Sequence, residues 1–207
     1  MFAVDFSKES LTQNFSFYLP PGEIHLWLTR SEQLRFLLSC YLKIPPQEIM
    51  ITRTERGKPL LEAPADFFFN SAHSGVFFAF VFARHPVGID LELQRRVRAR
   101  RLADKFFFPH EIKFLEQSPE KNFFFLWTAK EAALKADGCG ISRGLRQTKT
   151  IFQKDSLVGV ELNKKRISLL PWFLESSSGS YLGALASLEL PFLIRWYDWR
   201  SGVKIEV

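Results

Sequence analysis

The stretch Val76-Phe77-Phe78-Ala79-Phe80-Val81-Phe82-Ala83-Arg84-His85-Pro86-Val87-Gly88-Ile89-Asp90-Leu91-Glu92-Leu93 decides the fold. Val76 to Ala83 is apolar at every position, the pattern of a strand covered on both faces. Arg84-His85-Pro86 turns the chain, and Val87–Leu93 reads as a second strand with alternating apolar and acidic residues. Alternation sends Ile89 and Leu91 into a core and leaves Asp90 and Glu92 together on the other face, roughly 6–7 Å apart along the backbone. Two carboxylates so placed repel one another unless something positive sits between them. A hard cation with oxygen ligands, Mg2+ above all, answers that need. A solvated sheet-edge pair, or one matched by surface Arg and Lys, is the plain alternative.

Working toward the N-terminus, Phe67–Asn70 is a strand and Ser71–Gly75 a polar loop. A histidine in such a loop, His73, can hold a phosphate through charge-assisted hydrogen bonds or serve the local backbone. Ile49–Thr54 is a short strand, Arg56-Gly57 a turn with Lys58 beside it, and Pro59–Leu61 an extended piece. Ser31 is the expected N-cap of a helix carrying Leu34, Leu37, Leu38, Tyr41 and Leu42, which Pro45-Pro46 ends. Glu23–Thr29 alternates as a strand, and the first twenty residues read as irregular.

Working toward the C-terminus, helices are expected near Leu102–Phe107, Pro109–Gln117 and Glu120–Asp137, the last stopped by Gly138-Cys139-Gly140. Strands follow around Thr150–Gln153, Val158–Leu162, Arg166–Leu170, Tyr181–Leu188 and Leu193–Tyr197. On the third helix Glu131 and Lys135 lie one turn apart on a stripe shared with Trp127. A carboxylate and an ammonium so placed can act as base and phosphate clamp, or form an ordinary surface pair worth a few tenths of a kcal/mol. Ser71–Gly75 with its two following strands is echoed by Ser176–Gly179 with its own two. A duplication would give an α+β fold, one unit of residues 1–207 made of two similar α/β halves, 1–100 and 101–207, with pseudo-twofold symmetry and a cleft between them. Chance similarity of two hairpins is the alternative.

Composition bounds the function class. Hydrophobic residues at 46% and charged residues at 24% fit an ordinary globular protein, not a disordered one. No apolar run approaches the roughly 20 residues that span a bilayer, and Asp5, Lys8 and Glu9 argue against a secretion signal. Cys40 and Cys139 lack disulfide or metal spacing. Together these features point to a cytoplasmic protein. Formal charge is +6, which favours an anionic partner, and the densest basic run is Arg95–Arg101. That run is either a solvated face or a binding surface. A nucleic-acid-binding domain built on it would lack any helix-turn-helix, zinc or aromatic RNA-binding signature, so no nucleic acid is expected as partner.

Five short motifs occur in order: Gly57-Lys58-Pro59; Phe69-Asn70-x-x-His73-Ser74; Gly88-Ile89-Asp90-Leu91-Glu92; Phe107-Phe108-x-x-Glu111; and Trp127-Thr128-x-Lys130-Glu131-Ala132-x-x-Lys135. The set, with flanking sequence from about Glu23 to Tyr197, resembles the monomeric, pseudo-duplicated 4′-phosphopantetheinyl transferases. That resemblance implies two α+β halves with coenzyme A bound between them. It implies Mg2+ held by Asp90, Glu92 and Glu131, and an apo acyl- or peptidyl-carrier protein as acceptor. Catalytic roles fall on Asp90, on Glu131 as base and on Lys135 at the departing phosphate. Arg53, Lys58, Asn70, His73 and Lys130, with Asp90 and Lys135, would contact the coenzyme.

Two departures from the family stand out. Ala72 occupies the place of a serine before the histidine, with Ser71 one position early. The basic helical segment that the family carries between its first strand and the Leu34-Arg35 helix is missing, leaving Arg30 or Arg35 to compensate. The alternative to an active transferase is a catalytically weak relative that binds coenzyme A or a carrier protein without turnover.

Overall fold

The structure is a computed structural model that describes residues 2–6, 29–140, 144–154, 156–189, 194–198 and 204–205; for 2–6, 194–198 and 204–205 the description is of backbone alone. Its axis is helix α4 (Pro119–Asp137), where Ala129, Ala132, Ala133 and Ala136 recur at helical spacing and are all buried. Small side chains let this helix lie close on two strands, β6 (Val87–Leu93) and β10 (Gly179–Ser187), which pair antiparallel with Ile89 opposite Leu185. Outward from β10 run β9 (Lys165–Ser176), β8 (Ser156–Leu162) and β7 (Lys149–Gln153), completing an antiparallel sheet in the order β6-β10-β9-β8-β7.

A second five-stranded sheet contains β4 (Phe68–Ser74) and β5 (Phe77–Ala83), followed outward by β1 (Phe2–Phe6), β11 (Ile194–Asp198) and β12 (Lys204–Ile205). Strand β1 runs parallel to β5 and antiparallel to β11. Along β5 the side chains divide between two cores. Phe80 and Phe82 pack with Leu34, Leu37 and Leu38 of helix α1 (Arg30–Leu42). Ala79, Val81 and Ala83 pack with Ile89, Leu91, Tyr181 and Leu185 of the other sheet. The layers are therefore α1, sheet, sheet, α4. Burying one such Phe contributes about 1.5–3 kcal/mol, so a strand covered on both faces anchors the whole stack.

Smaller elements close the margins. A hairpin of β2 (Ile51–Arg53) and β3 (Pro59–Leu61) stands beside α1, and helices α2 (Ala99–Phe106) and α3 (Pro109–Gln117) pack on α4. The β4–β5 hairpin is followed by β6, which joins the other sheet. In the same way the β9–β10 hairpin is followed by β11, which joins the first sheet. The α+β class expected from the element pattern is the class observed. No helix among the described residues is long and apolar enough to cross a membrane.

Four local expectations need correction. The first twenty residues are not all irregular, because Phe2–Phe6 form β1; its partners β5 and β11 are distant in sequence and give no local signal. Helix α1 is capped by Thr29, not Ser31: Thr29 and Glu32 form a reciprocal capping box. Ser71–Ser74 are strand, not loop, because β5 supplies a paired partner for each, His73 lying opposite Phe78. Strand β9 runs well past Leu170 to Ser176, following β10 along its length. The strand expected over Glu23–Thr29 lies, apart from Thr29, outside the described residues.

Candidate active site

A glycine brings the acidic strand and α4 together. Gly88 faces the helix, and a Cβ there would stand 2.1 Å from the Ala132 carbonyl oxygen and 2.5 Å from the Ala136 nitrogen. Without one, α4 rests on β6 and the Lys135 ammonium reaches the neighbouring Asp90. Lys135 Nζ donates to Asp90 Oδ1 at 2.7 Å and to the Ile89 carbonyl at 3.1 Å. Asp90 is buried, and its Oδ2 has no hydrogen-bond partner among the described residues. Burial pushes the Asp90 carboxyl up to about 6 against the opposing pull of Lys135, with the Glu92 charge adding to the rise. Glu131, on the adjoining turn of α4, is pushed up to about 7, first by burial and then by the charge of Asp90; Lys135 opposes and Glu92 adds. Glu92 is half-buried and held through Oε2, which accepts from Ser74 Oγ at 3.2 Å and from Arg95 at 2.8 Å.

Beside this cluster is a cavity of about 460 Å³ lined by α1, the β2–β3 hairpin, the middle of β4 and the end of α4. Its charged lining is wholly cationic among the described residues: Arg30, Arg35, Arg53, Arg56, Lys58 and Lys135. Lys58 donates to the Ala136 carbonyl at 3.0 Å, near the negative end of α4. Burial brings its ammonium down to about 8 although Asp137 and Cys139 oppose. Arg53 braces its own hairpin through the Gly57 carbonyl at 2.9 Å. Arg35 is tied to the carbonyls of Pro46 and Ile49. Lys135 belongs to both the cavity and the acidic cluster.

Of the residues singled out in the sequence, Arg53, Lys58, Asn70 and Lys135 line the cavity, while Asp90, Glu92 and Glu131 adjoin it. Asn70 is buried, and its Oδ1 accepts from the Ile89 N–H at 3.3 Å, so it also braces β6. His73 stacks on Phe78 and takes Arg30 at 3.0 Å on Nδ1, outside the cavity wall. Lys130 is not brought to the cluster. It is 0% exposed, bonded to Glu111 Oε2 at 2.6 Å and to the Phe106 and Leu145 carbonyls, with Phe107 and Phe108 over its charge. Glu111 in turn accepts from the N–H groups of Phe108 and Thr150 and from the Thr150 hydroxyl. Position 72 points into the apolar core between the sheets, whereas Ser71 lines the cavity. The alanine therefore removes no group from the cavity wall. The sequence reading missed Ser74, Arg56 and the Glu111–Lys130 pair; the spacing Phe107-Phe108-x-x-Glu111 was the one available signal for the last.

Among the described residues, no three His, Cys, Asp or Glu side chains converge closely enough to ligate a metal as they stand. The donors nevertheless suit a hard cation. Asp90 offers an unpartnered, buried oxygen, and two of the three carboxylates are held above their usual range by burial and by each other. A divalent charge would reverse that repulsion.

A family model described as the 4′-phosphopantetheinyl transferase superfamily matches residues 86–186, the segment carrying Asp90, Glu92, Glu131 and Lys135. The chain is 38% identical over 141 residues to a protein of Synechocystis sp., a match covering 63% of this chain and 56% of that one. It is 35% identical over 150 residues to the 4′-phosphopantetheinyl transferase HetI of Nostoc sp., covering 68% and 63%. To the 4′-phosphopantetheinyl transferase gsp of Aneurinibacillus migulanus it is 30% identical over 161 residues, covering 72% and 66%. The chain thus spans less than two thirds of the length of the first two relatives.

Proposed function

Because the chain belongs to the 4′-phosphopantetheinyl transferase superfamily, we propose that it moves the phosphopantetheine arm of coenzyme A onto a serine of an apo acyl- or peptidyl-carrier protein. The observation that carries this reading is the junction at Lys135, which lines the cationic cavity and bonds to the acidic cluster at 2.7 Å. A cavity with six cations suits a ligand with several phosphates. An acidic cluster at its margin suits the cation that such phosphates attract.

In the proposed reaction the serine oxygen bonds to the phosphorus attached to pantetheine. The bond from that phosphorus to the pyrophosphate bridging oxygen breaks, and 3′,5′-ADP leaves. Glu131 takes the serine proton, directly or through a water, and such bases contribute about 10²–10⁴-fold. Lys135 donates to the phosphate oxygen that gains charge as the bond breaks. Arg53 and Lys58 hold the nucleotide phosphates, with Arg30 and His73 at the rim. Asp90, Glu92 and Glu131 would hold Mg2+, whose chemistry is to neutralise charge on the pyrophosphate. We take the active unit to be a cytoplasmic monomer. The exposed Arg96, Arg98 and Arg101 are the proposed docking points for an acidic carrier helix.

One observation favours the second reading, binding without turnover. Arg35 is already committed to backbone carbonyls, which leaves the α1 side of the cavity weaker in free charge. Intact mass spectrometry of an apo carrier protein incubated with this protein, coenzyme A and MgCl2 separates the two, with Glu131→Gln as control. Addition of one phosphopantetheine by the unaltered protein alone supports transfer. No addition across fatty-acid, polyketide and peptide carriers, with coenzyme A still bound in a calorimeter, supports the second reading. No binding of coenzyme A refutes both.

A further inference from the structure

Strands β4 and β6 belong to different sheets, yet they are joined along facing edges by side chains in place of a backbone ladder. The N–H groups of Ile89 and Leu93 point away from β10 toward β4. There Asn70 Oδ1 accepts the first at 3.3 Å and Ser74 Oγ accepts the second at 2.9 Å. Asn70 and Ser74 are four residues apart and share a face of β4, as Ile89 and Leu93 share an edge of β6. Ser74 makes one bond more than Asn70 does. Its hydroxyl proton goes to Glu92 Oε2 at 3.2 Å, so one oxygen fixes both a main-chain group of β6 and the carboxylate beside it.

We propose that Ser74 is a positioning residue that orients Glu92 for a divalent cation. The inference rests on the reading of Asp90, Glu92 and Glu131 as the cation's ligands. Ser74 and Arg95 both donate to Oε2, and Oε1 has no hydrogen-bond partner among the described residues. The carboxylate is thus held by one oxygen with the other left for the cation, the arrangement by which outer groups orient metal ligands. Ser74 is itself well placed to impose that geometry. It ends β4 immediately before a two-residue turn, where Ser74 pairs with Phe77. The next residue, Gly75, has φ +54°, and a Cβ there would lie 2.6 Å from the Tyr181 hydroxyl. The turn is therefore pressed against β10, and Ser74 has little freedom to swing away from Glu92. Arg95, anchored by the Leu93 carbonyl at 3.1 Å and the Phe124 ring, is still 55% exposed, so it is a looser support for the carboxylate than Ser74.

The test measures cation affinity directly. Mn2+ binding to the coenzyme A-saturated protein is followed by electron paramagnetic resonance for the unaltered chain, Ser74→Ala, Ser74→Thr, Glu92→Gln and the double variant Ser74→Ala/Glu92→Gln. Coenzyme A binding is measured by calorimetry in EDTA, and folding by circular dichroism. Ser74→Ala is expected to weaken Mn2+ binding about ten-fold or more, with coenzyme A affinity in EDTA unchanged and Ser74→Thr restoring most of the loss. In the Glu92→Gln background the alanine should add almost nothing, since its effect passes through Glu92. Equal Mn2+ affinity in Ser74→Ala and the unaltered protein, or equal losses in both backgrounds, overturns the proposal. If the unaltered protein binds coenzyme A but no Mn2+, the assignment of the cation ligands falls, and this inference with it.

Discussion

Replacing Glu131 by Gln should make the metal-free protein more stable, and only at neutral to alkaline pH. Glu131 ordinarily titrates at 4.5, and in the fold it is pushed up to about 7. Between these values the folded chain keeps a proton that the unfolded chain has released, so stability falls as pH rises. Moving a titration midpoint by one pH unit corresponds to about 1.36 kcal/mol, so the charged carboxylate costs about 3 kcal/mol at pH 8 and under about 1 kcal/mol at pH 5. Glutamine keeps the shape and stays neutral. Urea unfolding in EDTA, followed by circular dichroism at both pH values, gives the needed double difference; groups remote from Glu131 cancel between variant and parent, and relief of its repulsion with Asp90 adds in the same sense. The expected excess stability of Glu131→Gln is about 2–3 kcal/mol at pH 8 and close to zero at pH 5. Adding Mg2+ should close the gap at pH 8, because a cation rewards the charged form that burial disfavours. Equal stabilities at pH 8, or a variant less stable at both pH values, would refute the electrostatic reading of this cluster.

Two further substitutions probe how the cluster is assembled. Lys130→Met leaves Glu111 buried with one partner gone, and should cost about 3–5 kcal/mol in urea unfolding. Because Lys130 faces away from the cavity, coenzyme A affinity measured well below the unfolding midpoint should be unchanged; a large loss of affinity would place the ammonium back in the coenzyme site. Gly88→Ala forces a methyl into the α4 backbone and should destabilise by roughly 1–3 kcal/mol or more. It should also push Lys135 off Asp90, so transferase activity in the mass assay falls more than the folded fraction does; activity that merely tracks the folded fraction would count against the close-packing account.

Much of this architecture is written in local pattern. The apolar run before Arg84 and the alternation after Pro86 each name a strand, and Gly138-Cys139-Gly140 names the end of α4; the structure keeps all three. Strand β1 was illegible because its reasons lie in β5 and β11, some 75 and 190 residues away in the chain. The polar run Ser71–Ser74 reads as a loop because serines and a histidine carry no strand signal. Its extended form is imposed by β5, and by the N–H groups of β6 that Asn70 and Ser74 satisfy. Within the candidate site, the hardest distinction was between adjacent residues. Lys130 and Glu131 stand side by side in one motif, but about 100° of helical turn separates them. One enters a buried pair with Glu111 and the other faces Asp90. Spacing alone cannot say which flank of α4 looks onto the cleft, since that depends on where α3 and β7 pack.

The division of charge along α4 explains why the parts belong together. The six cations of the cavity would repel each other in the absence of an anion, and Asp90 and Glu131 beside them are disfavoured as anions by burial and by neighbouring carboxylate charge. Lys135 relieves only part of either strain, since it bonds one oxygen of Asp90 and leaves the other without a partner. A ligand of several phosphates would satisfy the cavity, but its charge next to Asp90 and Glu131 would worsen the acidic cluster. A divalent cation between phosphate and carboxylates would favour both at once. Each should therefore strengthen binding of the other: coenzyme A affinity should rise with Mg2+, and Mg2+ affinity with coenzyme A, by the same factor. Calorimetric titrations in both orders measure the two factors. Coenzyme A binding that is indifferent to Mg2+ would mean that the acidic cluster and the cavity, although joined at Lys135, do not form one site.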